Sequence, residues 1–336
     1  MQFKEKLKKR AKRKYINTPV LNHLIGLNSP LKAKYTLSHS CSSAIEQKDG
    51  KLISRYCKRM WCTICAPIRT AVRLNNYKNQ LENLENLQLT TLTIPNVPFH
   101  KIKHTIKTFR STFRQFRDTY NKSTGTVFKG VYNFEVTFNN TTKLFHPHIH
   151  IIHEGLEVIP TNYYRKDKSK FITNDLINYW VSHQPTCKLK AQDTRPCTDL
   201  IEGFKYSSKS VFFIKKDNER KYIIPVVELD QLYQQLKSVR CFQPFGIAIV
   251  SKNEDQQLEE LTAYETDLPD GVYLWDKHDW YQTLIIETET GEILSHYKED
   301  ATHQLIELSG YKPTETTKKI TSQIHLNENY AAPLPN

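Results

Sequence analysis

The sequence predicts an α+β fold in which helices pack on a central antiparallel β-sheet of about five strands. Residues 132–138 and 145–152 are rich in aromatic and β-branched side chains, and the Asn and Thr residues at 139–142 are typical of a turn, so these segments predict a hairpin. Residues 89–94 have a similar composition and end at a proline, which predicts a third strand. Apolar residues at helical spacing between about 101 and 120 predict a long amphipathic helix packed on the sheet.

Shorter segments complete the expected fold. Residues 187–190 and 246–250 have strand-like composition. Four regions are expected along the chain: a basic N-terminal arm (1–35), a cysteine-rich zinc or DNA-binding module (36–80), the sheet domain (81–250) and an acidic C-terminal extension (251–336).

The charge of the chain is distributed unevenly. The net charge is +13, but residues 251–336 carry 6 Lys or Arg and 17 Asp or Glu, so the first 250 residues carry +24. Such a positive field predicts a polyanionic partner, most simply nucleic acid. The chain lacks a membrane-length apolar run and a signal peptide, and its seven cysteines fit reduced thiols or a metal site. We therefore expect a soluble cytoplasmic protein without a membrane partner.

The N-terminal region begins with a dense basic segment. Residues 4–14 contain eight Lys or Arg and one Glu. This composition predicts a disordered arm that contacts phosphates without reading the base sequence, and a solvated tail without that role is the alternative.

Four cysteines follow: Cys41, Cys57, Cys62 and Cys65. The last two form a CxxC pair, and four thiolates can close a tetrahedral zinc site. The irregular spacing leaves buried or free cysteines as the alternative. Several cations surround the cluster, and among them Arg69 and Arg73 are candidate DNA contacts.

The predicted helix at 101–120 carries a basic stripe beside its apolar one. Lys103, Lys107, Arg110, Arg114 and Arg117 repeat at the same spacing as the apolar residues. The stripe is either a solvated face or a DNA-facing one. The positive charge of this part of the chain favours DNA, with Arg110, Arg114 and Arg117 as the contacts.

Three histidines alternate along the predicted strand at 145–152. His146, His148 and His150 point to one face of an extended strand, and Glu135 lies roughly opposite the last two in the hairpin. One carboxylate and two imidazoles form a donor set for a divalent metal ion. Polar residues on a sheet face are the alternative. The opposite parity of His153 makes it an ordinary surface or core histidine.

A second chemical segment lies on a helix predicted to begin at residue 198 or 199. Glu202, Lys205, Tyr206 and Lys209 fall on one face of that helix. A Tyr hydroxyl, with an ordinary pKa near ~10, needs help from cations or a polarised target to act as a nucleophile. The two lysines can supply that help and hold phosphate oxygens, and Glu202 can activate water. Seen alone, the segment is an ordinary surface helix, but the upstream histidine strand favours catalysis.

Together, the two segments make the sequence resemble the rolling-circle replication initiators of small plasmids. These are HUH-type endonucleases with one catalytic tyrosine and a ferredoxin- or RRM-like sheet. Residues 148–150 match the signature of two histidines around a bulky apolar residue, and residues 202–209 match the tyrosine segment. The resemblance covers roughly residues 40–250.

The resemblance implies a metal-assisted DNA nickase. His148 and His150 would hold Mg²⁺ or Mn²⁺ with a third ligand, either Glu135 or His146, of which Glu135 is favoured by its place across the hairpin. Structural Zn²⁺ is a further expected cofactor at the cysteine cluster.

The resemblance also implies the order of events on DNA. Tyr206 would attack origin DNA in single-stranded or extruded form and leave a 5′-phosphotyrosine and a 3′-OH primer. Glu202 would activate water in the terminating cleavage. The implied partners are origin DNA and the replication helicase and polymerase of the host.

Other functions are left open by the same residues. A relaxase or a single-tyrosine transposase would share the histidines and the tyrosine. A zinc-stabilised DNA-binding repressor without catalytic activity would leave the set of Glu135, His148, His150 and Tyr206 unexplained. A helicase is excluded because the sequence has no Walker loop.

Overall fold

The computed structural model describes residues 2–164, 170–205, 213–216, 220–250, 254–260, 263–265, 271–286, 293–296 and 307–326. The helices within these ranges are α1 (Gln2–Gly26), α2 (Lys32–His39), α3 (Cys65–Glu82), α4 (Ile102–Thr124), α5 (Asp175–His183), α6 (Leu200–Lys205), α7 (Val226–Leu236), α8 (Glu254–Glu260) and α9 (Glu315–Leu326). Two short 3₁₀ helices cover Phe99–Lys101 and Leu189–Ala191.

The strands in the described residues occur in chain order from residue 44 to residue 296. They are β1 (Ala44–Lys48), β2 (Lys51–Ser54), β3 (Gln88–Thr93), β4 (Gly130–Asn139), β5 (Leu144–His153), β6 (Ile159–Tyr164), β7 (Lys170–Thr173), β8 (Asp193–Pro196), β9 (Phe213–Lys216), β10 (Arg220–Ile223), β11 (Phe242–Phe245), β12 (Tyr264–Glu265), β13 (Gly271–Asp276), β14 (Asp279–Ile286) and β15 (Ile293–His296).

The chain divides into two compact units. The first unit comprises Met1–Val72, Lys215–Asp230 and Lys252–Asn336. The second unit comprises Arg73–Ile214 and Gln231–Ser251. Segments from the expected N-terminal arm, cysteine module and C-terminal extension therefore contribute to one unit.

The second unit is built on a five-stranded antiparallel sheet in the order β11-β4-β5-β3-β8. The predicted hairpin forms strands β4 and β5, and the segment predicted at 89–94 forms β3. The α+β fold class with a five-stranded sheet is therefore confirmed. The histidine strand β5 lies at the centre of the sheet, with a hydrogen-bonded neighbour on each side.

The two outer strands are displaced from the segments that composition indicated. Residues 187–190 do not pair in the sheet: residues 189–191 form a 3₁₀ turn, and the buried Cys187 thiol donates to the carbonyl of Thr93 at 3.2 Å. β8 begins a few residues later. The other predicted strand, 246–250, begins at Gly246 with φ of +64°, and the backbone of Ala248 bonds to the Gln80 side chain. These bonds replace a strand ladder, and β11 ends just before Gly246.

The predicted amphipathic helix is α4. Its apolar stripe, which includes Ile106, Phe109, Phe113 and Phe116, is buried. The ring of Phe109 lies 5.8 Å from that of Phe134 on β4, so this stripe packs on one face of the sheet.

The first unit contains a six-stranded sheet in the order β12-β2-β1-β13-β14-β15. The expectation of a disordered arm at residues 4–14 is wrong, because this segment lies within α1. Leu7 and Ala11, one helical turn apart, are fully buried in a cluster with Tyr273 and Trp280. Burial of this apolar pair outweighs the repulsion between neighbouring cations. In the described residues, no helix is long and apolar enough to cross a membrane.

Candidate functional site

The histidines of β5 are aligned with specific residues on both neighbouring strands. His148 is paired with Glu135 on β4, and His150 is paired with Asn133 on β4 and Thr91 on β3. Side chains paired across antiparallel strands project to the same face. The site is therefore fixed by the register of three strands.

A carboxylate and two imidazoles converge on this face. The Oε2 atom of Glu135 lies 2.9 Å from Nε2 of His150 and 3.7 Å from Nε2 of His148. One donor atom from each of the three residues falls within 4.8 Å of the others. Glu135 and His150 are 8% and 7% exposed, and His148 is 13% exposed.

His146 lies at the margin of this cluster. Its ring centroid is 4.6 Å from that of His148, but His146 is not among the three residues whose donor atoms converge. Burial lowers the pKa of His146, with the Ile94 backbone and Glu135 acting in the opposite direction. The structure thus brings Glu135, rather than His146, together with His148 and His150.

Thr91 is a member of the site that the sequence reasoning missed. Its Oγ1 lies 3.0 Å from Nδ1 of His150, while the other ring nitrogen faces Glu135. A Thr hydroxyl that accepts from Nδ1–H leaves the lone pair of Nε2 available to a cation. Only the register of β3 against β5 identifies this residue, and these strands are about fifty residues apart in sequence.

His153 lies on the other face of β5, as its parity predicted, and of the two alternatives left open it is a core residue rather than a surface one. It is fully buried, with Nε2 2.8 Å from Oγ1 of Thr90 and Nδ1 2.7 Å from the carbonyl oxygen of Glu154. Burial lowers its pKa to about 4, so the ring is neutral at pH 7.

The donor set fits a single divalent cation. Two imidazole nitrogens and one carboxylate oxygen converge, and the three side chains are largely shielded from water. Carboxylate oxygen suits Mg²⁺ and Mn²⁺, and imidazole suits the later transition metals, so Mn²⁺ accepts both kinds of ligand.

Helix α6 packs on the same face of the sheet as the cluster. Phe204 is buried with Val131, Ile152 and Phe242. A Cβ added at Gly203 would lie 2.3 Å from Cδ1 of Ile152, so α6 and β5 are in close contact here and a larger residue would require the Ile152 side chain or the helix to shift.

The end of α6 also lies near the histidines. A small cavity of about 10 Å³ is lined by Asn133, His150, Gly203 and Phe204, among others. Glu202 and Lys205 belong to α6, and only their backbone positions are described. Tyr206 and Lys209, the other two candidates on this segment, lie outside the described residues.

The four cysteines of the N-terminal region form a second cluster, in the first unit. The sulfur of Cys65 lies 3.5 Å from that of Cys41 and 3.7 Å from that of Cys57. With Cys62, all four sulfurs fall within 4.8 Å of one another, and all four thiols are free of disulfides. The four cysteines are irregularly spaced in the sequence, but their sulfurs are close together in the structure.

Hydrogen bonds among these thiols give them different acidities. The contact with Cys41 lowers the pKa of Cys57, whereas the contact with Cys57 raises the pKa of Cys41. The contact with Cys41 likewise raises the pKa of Cys62. These shifts favour a thiolate at Cys57 over one at Cys41 or Cys62, and a bound cation would stabilise further thiolates. The cluster thus fits a tetrahedral zinc site.

The five candidate DNA-binding arginines occupy different environments. Arg69 donates to the carbonyl of Lys58 at 2.8 Å, and Arg73 lies 4.8 Å from the ring of Phe242. The other three lie along α4: Arg110 and Arg117 are half-buried and Arg114 is exposed.

One comparison with known proteins gave a match. Residues 52–271 match the model of a protein family described as replication protein. This range contains the histidine strand, the tyrosine segment and three of the four clustered cysteines. Comparisons with curated proteins and with solved structures found no match.

Proposed function

The chain belongs to the replication protein family of plasmid replication initiators, and from this membership we propose that it starts rolling-circle replication by nicking one strand of origin DNA. The observation that carries the proposal is the convergence of Glu135, His148 and His150 on the central strands of the sheet. Membership of the family would also suit a DNA-binding protein without catalytic activity. The buried set of two imidazoles and one carboxylate favours a nickase, because a metal ion bound by such a set can assist phosphodiester cleavage.

The three residues would hold Mg²⁺ or Mn²⁺. When bound, the cation supplies positive charge that polarises the scissile phosphate and offsets the charge that develops on its oxygens. Thr91 orients the His150 ring, and Glu135 contributes the negative charge that makes the site selective for a cation.

Tyr206 is the proposed nucleophile. Its hydroxyl oxygen forms a bond to phosphorus as the bond between phosphorus and the 3′ oxygen breaks, and the proton of the phenol is passed on so that a free 3′-OH results. The DNA is left attached through a 5′-phosphotyrosine. Tyr206 follows Lys205, the last residue of α6, in the sequence, and the α6 residues Gly203 and Phe204 line a cavity together with His150, which supports this role.

Lys205, Lys209 and Glu202 are proposed helpers of the tyrosine. The ammonium groups stabilise the phenolate and hold phosphate oxygens. Glu202 takes a proton from water at the terminating cleavage, so that one tyrosine is enough for a complete round.

The cysteine cluster is proposed to hold structural Zn²⁺. The four sulfurs are close enough to provide all four ligands of a tetrahedral zinc ion. Four protein ligands are typical of structural zinc sites, whereas catalytic sites keep one position for water or substrate. Its role is to stabilise the first unit.

The proposed partners follow from the product. A free 3′-OH is a primer for a polymerase, and the unwinding of the plasmid requires a helicase that this sequence does not itself contain. Both are proposed to come from the host, together with the plasmid origin as the DNA substrate.

The proposal is tested with single-stranded oligonucleotides that tile the origin region of the plasmid that encodes the chain. Each oligonucleotide is labelled on the 3′ side of the expected cut and incubated with Mg²⁺, with Mn²⁺ or with EDTA. We expect a labelled protein band that survives SDS and that EDTA abolishes.

Two tyrosine variants sharpen this test. Tyr206→Phe is expected to lose the band and to keep DNA binding, while Tyr164→Phe, at an exposed tyrosine on β6, is the matched control and is expected to keep both. DNA binding without an adduct on any tiled oligonucleotide would favour the non-catalytic DNA-binding repressor.

A further inference from the structure

A basic pocket lies against α4 in the second unit, away from the metal-ligand cluster. Its volume is about 360 Å³, and its lining includes Lys107, Arg110, Arg114, Arg117, Tyr132 and Gln243. Tyr132 and Gln243 are paired across β4 and β11, and the Tyr132 hydroxyl donates to Oε1 of Gln243 at 2.7 Å.

The pocket opens on the face of the sheet opposite Glu135. Tyr132 and Phe134 alternate along β4 with Asn133 and Glu135, and alternate residues of a strand project to opposite faces. The pocket is therefore separate from the proposed nicking site, although both use β4.

Two of the arginines lie over aromatic rings. The guanidinium carbon of Arg110 lies 5.5 Å from the ring centroid of Phe134, and that of Arg117 lies 5.5 Å and 5.4 Å from those of Phe113 and Phe245. Arg110 also donates to the carbonyl of Arg240. Such stacking orients the planar donors of a guanidinium before a ligand arrives.

The pocket has a surplus of positive charge. Within the part of the chain that the structure describes, none of the four cations lies in an ion pair with a carboxylate. The Nε atoms of Arg110 and Arg117 are buried without a hydrogen-bond partner. Stacked, unneutralised guanidinium groups are suited to phosphate oxygens.

The basic side chains form a line along α4 that extends beyond the pocket, and they do not surround one compact volume. From Lys103 to Arg117 they follow α4 at the helical repeat, a distance of about 21 Å at about 1.5 Å per residue. A free nucleotide would contact only part of such a line, whereas a polymer backbone would contact its whole length.

We propose that this pocket binds backbone phosphates of DNA that flanks the cut, on the face of the sheet opposite the nicking site. The assignment to DNA rests on the proposed function. It follows that affinity for the origin and cleavage of the origin depend on different residues of the same sheet domain and are separable by mutation.

The test measures equilibrium binding of a fluorescent origin duplex with a single-stranded stretch, in EDTA and in a Tyr206→Phe background, over a range of salt concentrations. The variant Arg110→Gln/Arg117→Gln removes the two stacked cations. The variant Lys107→Gln/Arg114→Gln removes two exposed cations. If the first variant folds poorly, the second still tests the proposal.

The matched control is Lys101→Gln/Lys122→Gln, which removes the same charge from exposed positions outside the pocket. We expect each pocket variant to bind the duplex at least about tenfold more weakly near 100 mM salt, with the slope of log K against log salt smaller by about 2. The control is expected to change both quantities much less. In a chain that keeps Tyr206, and with Mn²⁺ present, adduct formation by the pocket variants on a saturating short oligonucleotide is expected to stay within about twofold of that of the unmutated pocket.

Three results would overturn the proposal. The first is wild-type affinity and salt slope in both pocket variants, and the second is an equal loss in the control. The third is binding of dATP that depends on Arg110 and Arg117 while DNA affinity is unchanged. Because binding is measured in EDTA, a wild-type chain that forms no adduct would refute the nicking proposal and leave this one standing.

Discussion

At the residue scale, the proposed metal site is distinguished by the different partners of the two ring nitrogens of His150. Nε2 faces Glu135 at 2.9 Å and Nδ1 faces Thr91 at 3.0 Å. Sequence parity predicted which histidines share a face, because that depends only on the alternation of a strand. The contribution of Thr91 was not predictable, because it requires the register of a strand distant in sequence.

The carboxylate of the cluster gives the first prediction. Glu135→Gln keeps the shape of the side chain but removes its charge, and we expect Mn²⁺ affinity to fall by at least about tenfold. Free Mn²⁺ measured by electron paramagnetic resonance reports this affinity without any DNA. The control is Glu157→Gln, at an exposed position, and equal Mn²⁺ affinity in both variants would contradict the assignment of Glu135.

Thr91 gives a second prediction at this scale. Thr91→Val keeps the branched shape and removes the hydroxyl that orients His150, so Mn²⁺ affinity is expected to fall by about tenfold. The same resonance titration checks this. An unchanged affinity would mean that the ring is oriented without Thr91.

His153 gives a prediction about pH. Its pKa is lowered from 6.5 to about 4 by burial, so below pH 6.5 the unfolded chain binds a proton that the folded chain does not. The contribution to stability is therefore complete above pH 6.5 and is lost as pH falls toward 4, by up to about 3 kcal/mol. Urea unfolding of the wild type and of His153→Gln at several pH values measures the difference in pH dependence. If the stabilities of the wild type and of His153→Gln changed with pH in the same way, this prediction would be wrong.

At the element scale, composition located the long elements well and the short ones poorly. The hairpin, β3 and α4 were predicted because their periodic patterns extend over six residues or more. The outer strands β8 and β11 were displaced because side-chain bonds, such as those between Gln80 and Ala248, decide where a short strand ends. The basic composition of residues 4–14 concealed the buried pair of Leu7 and Ala11 in α1.

The packing of α6 on β5 yields a prediction at this scale. Gly203→Val places a branched side chain against the side chain of Ile152, so either that side chain or α6 must shift. We expect adduct formation to slow by at least about tenfold, with duplex binding through the α4 pocket little changed. Gly26→Val, at a position with no atom within 4 Å of the added carbon, is the control. A normal rate of adduct formation in Gly203→Val would show that the placement of α6 is unimportant for cleavage.

The cysteine cluster yields a second prediction at the element scale. Cys62→Ser removes one thiolate from the proposed zinc site, and we expect the purified chain to lose its bound zinc and the first unit to unfold at a lower temperature. Cys187→Ser, at a buried cysteine outside the cluster, is the control for the loss of a thiol. Zinc measured by inductively coupled plasma mass spectrometry tests this, and a wild-type chain purified without zinc would contradict it.

At the scale of the whole molecule, the distribution of charge bears on the kind of partner, and the division into two units bears on the fold. The net charge of +24 in the first 250 residues predicted a polyanionic partner, which agrees with membership of the replication protein family. Composition also suggested an acidic appendage, yet the strands β13 and β14 of that region continue a sheet begun by β1 and β2. Pairing between segments more than two hundred residues apart leaves no local signal in the sequence.

We propose that Tyr206 becomes covalently attached to DNA at a site organised by Glu135, His148 and His150. Mass spectrometry of the tryptic peptides, after reaction with an origin oligonucleotide in Mn²⁺ and nuclease digestion of the adduct, tests it most directly. We predict that a nucleotide remnant is joined through its 5′-phosphate to the peptide that contains Tyr206. A remnant on any other residue, or an oligonucleotide cut without a remnant on the protein, would contradict the account.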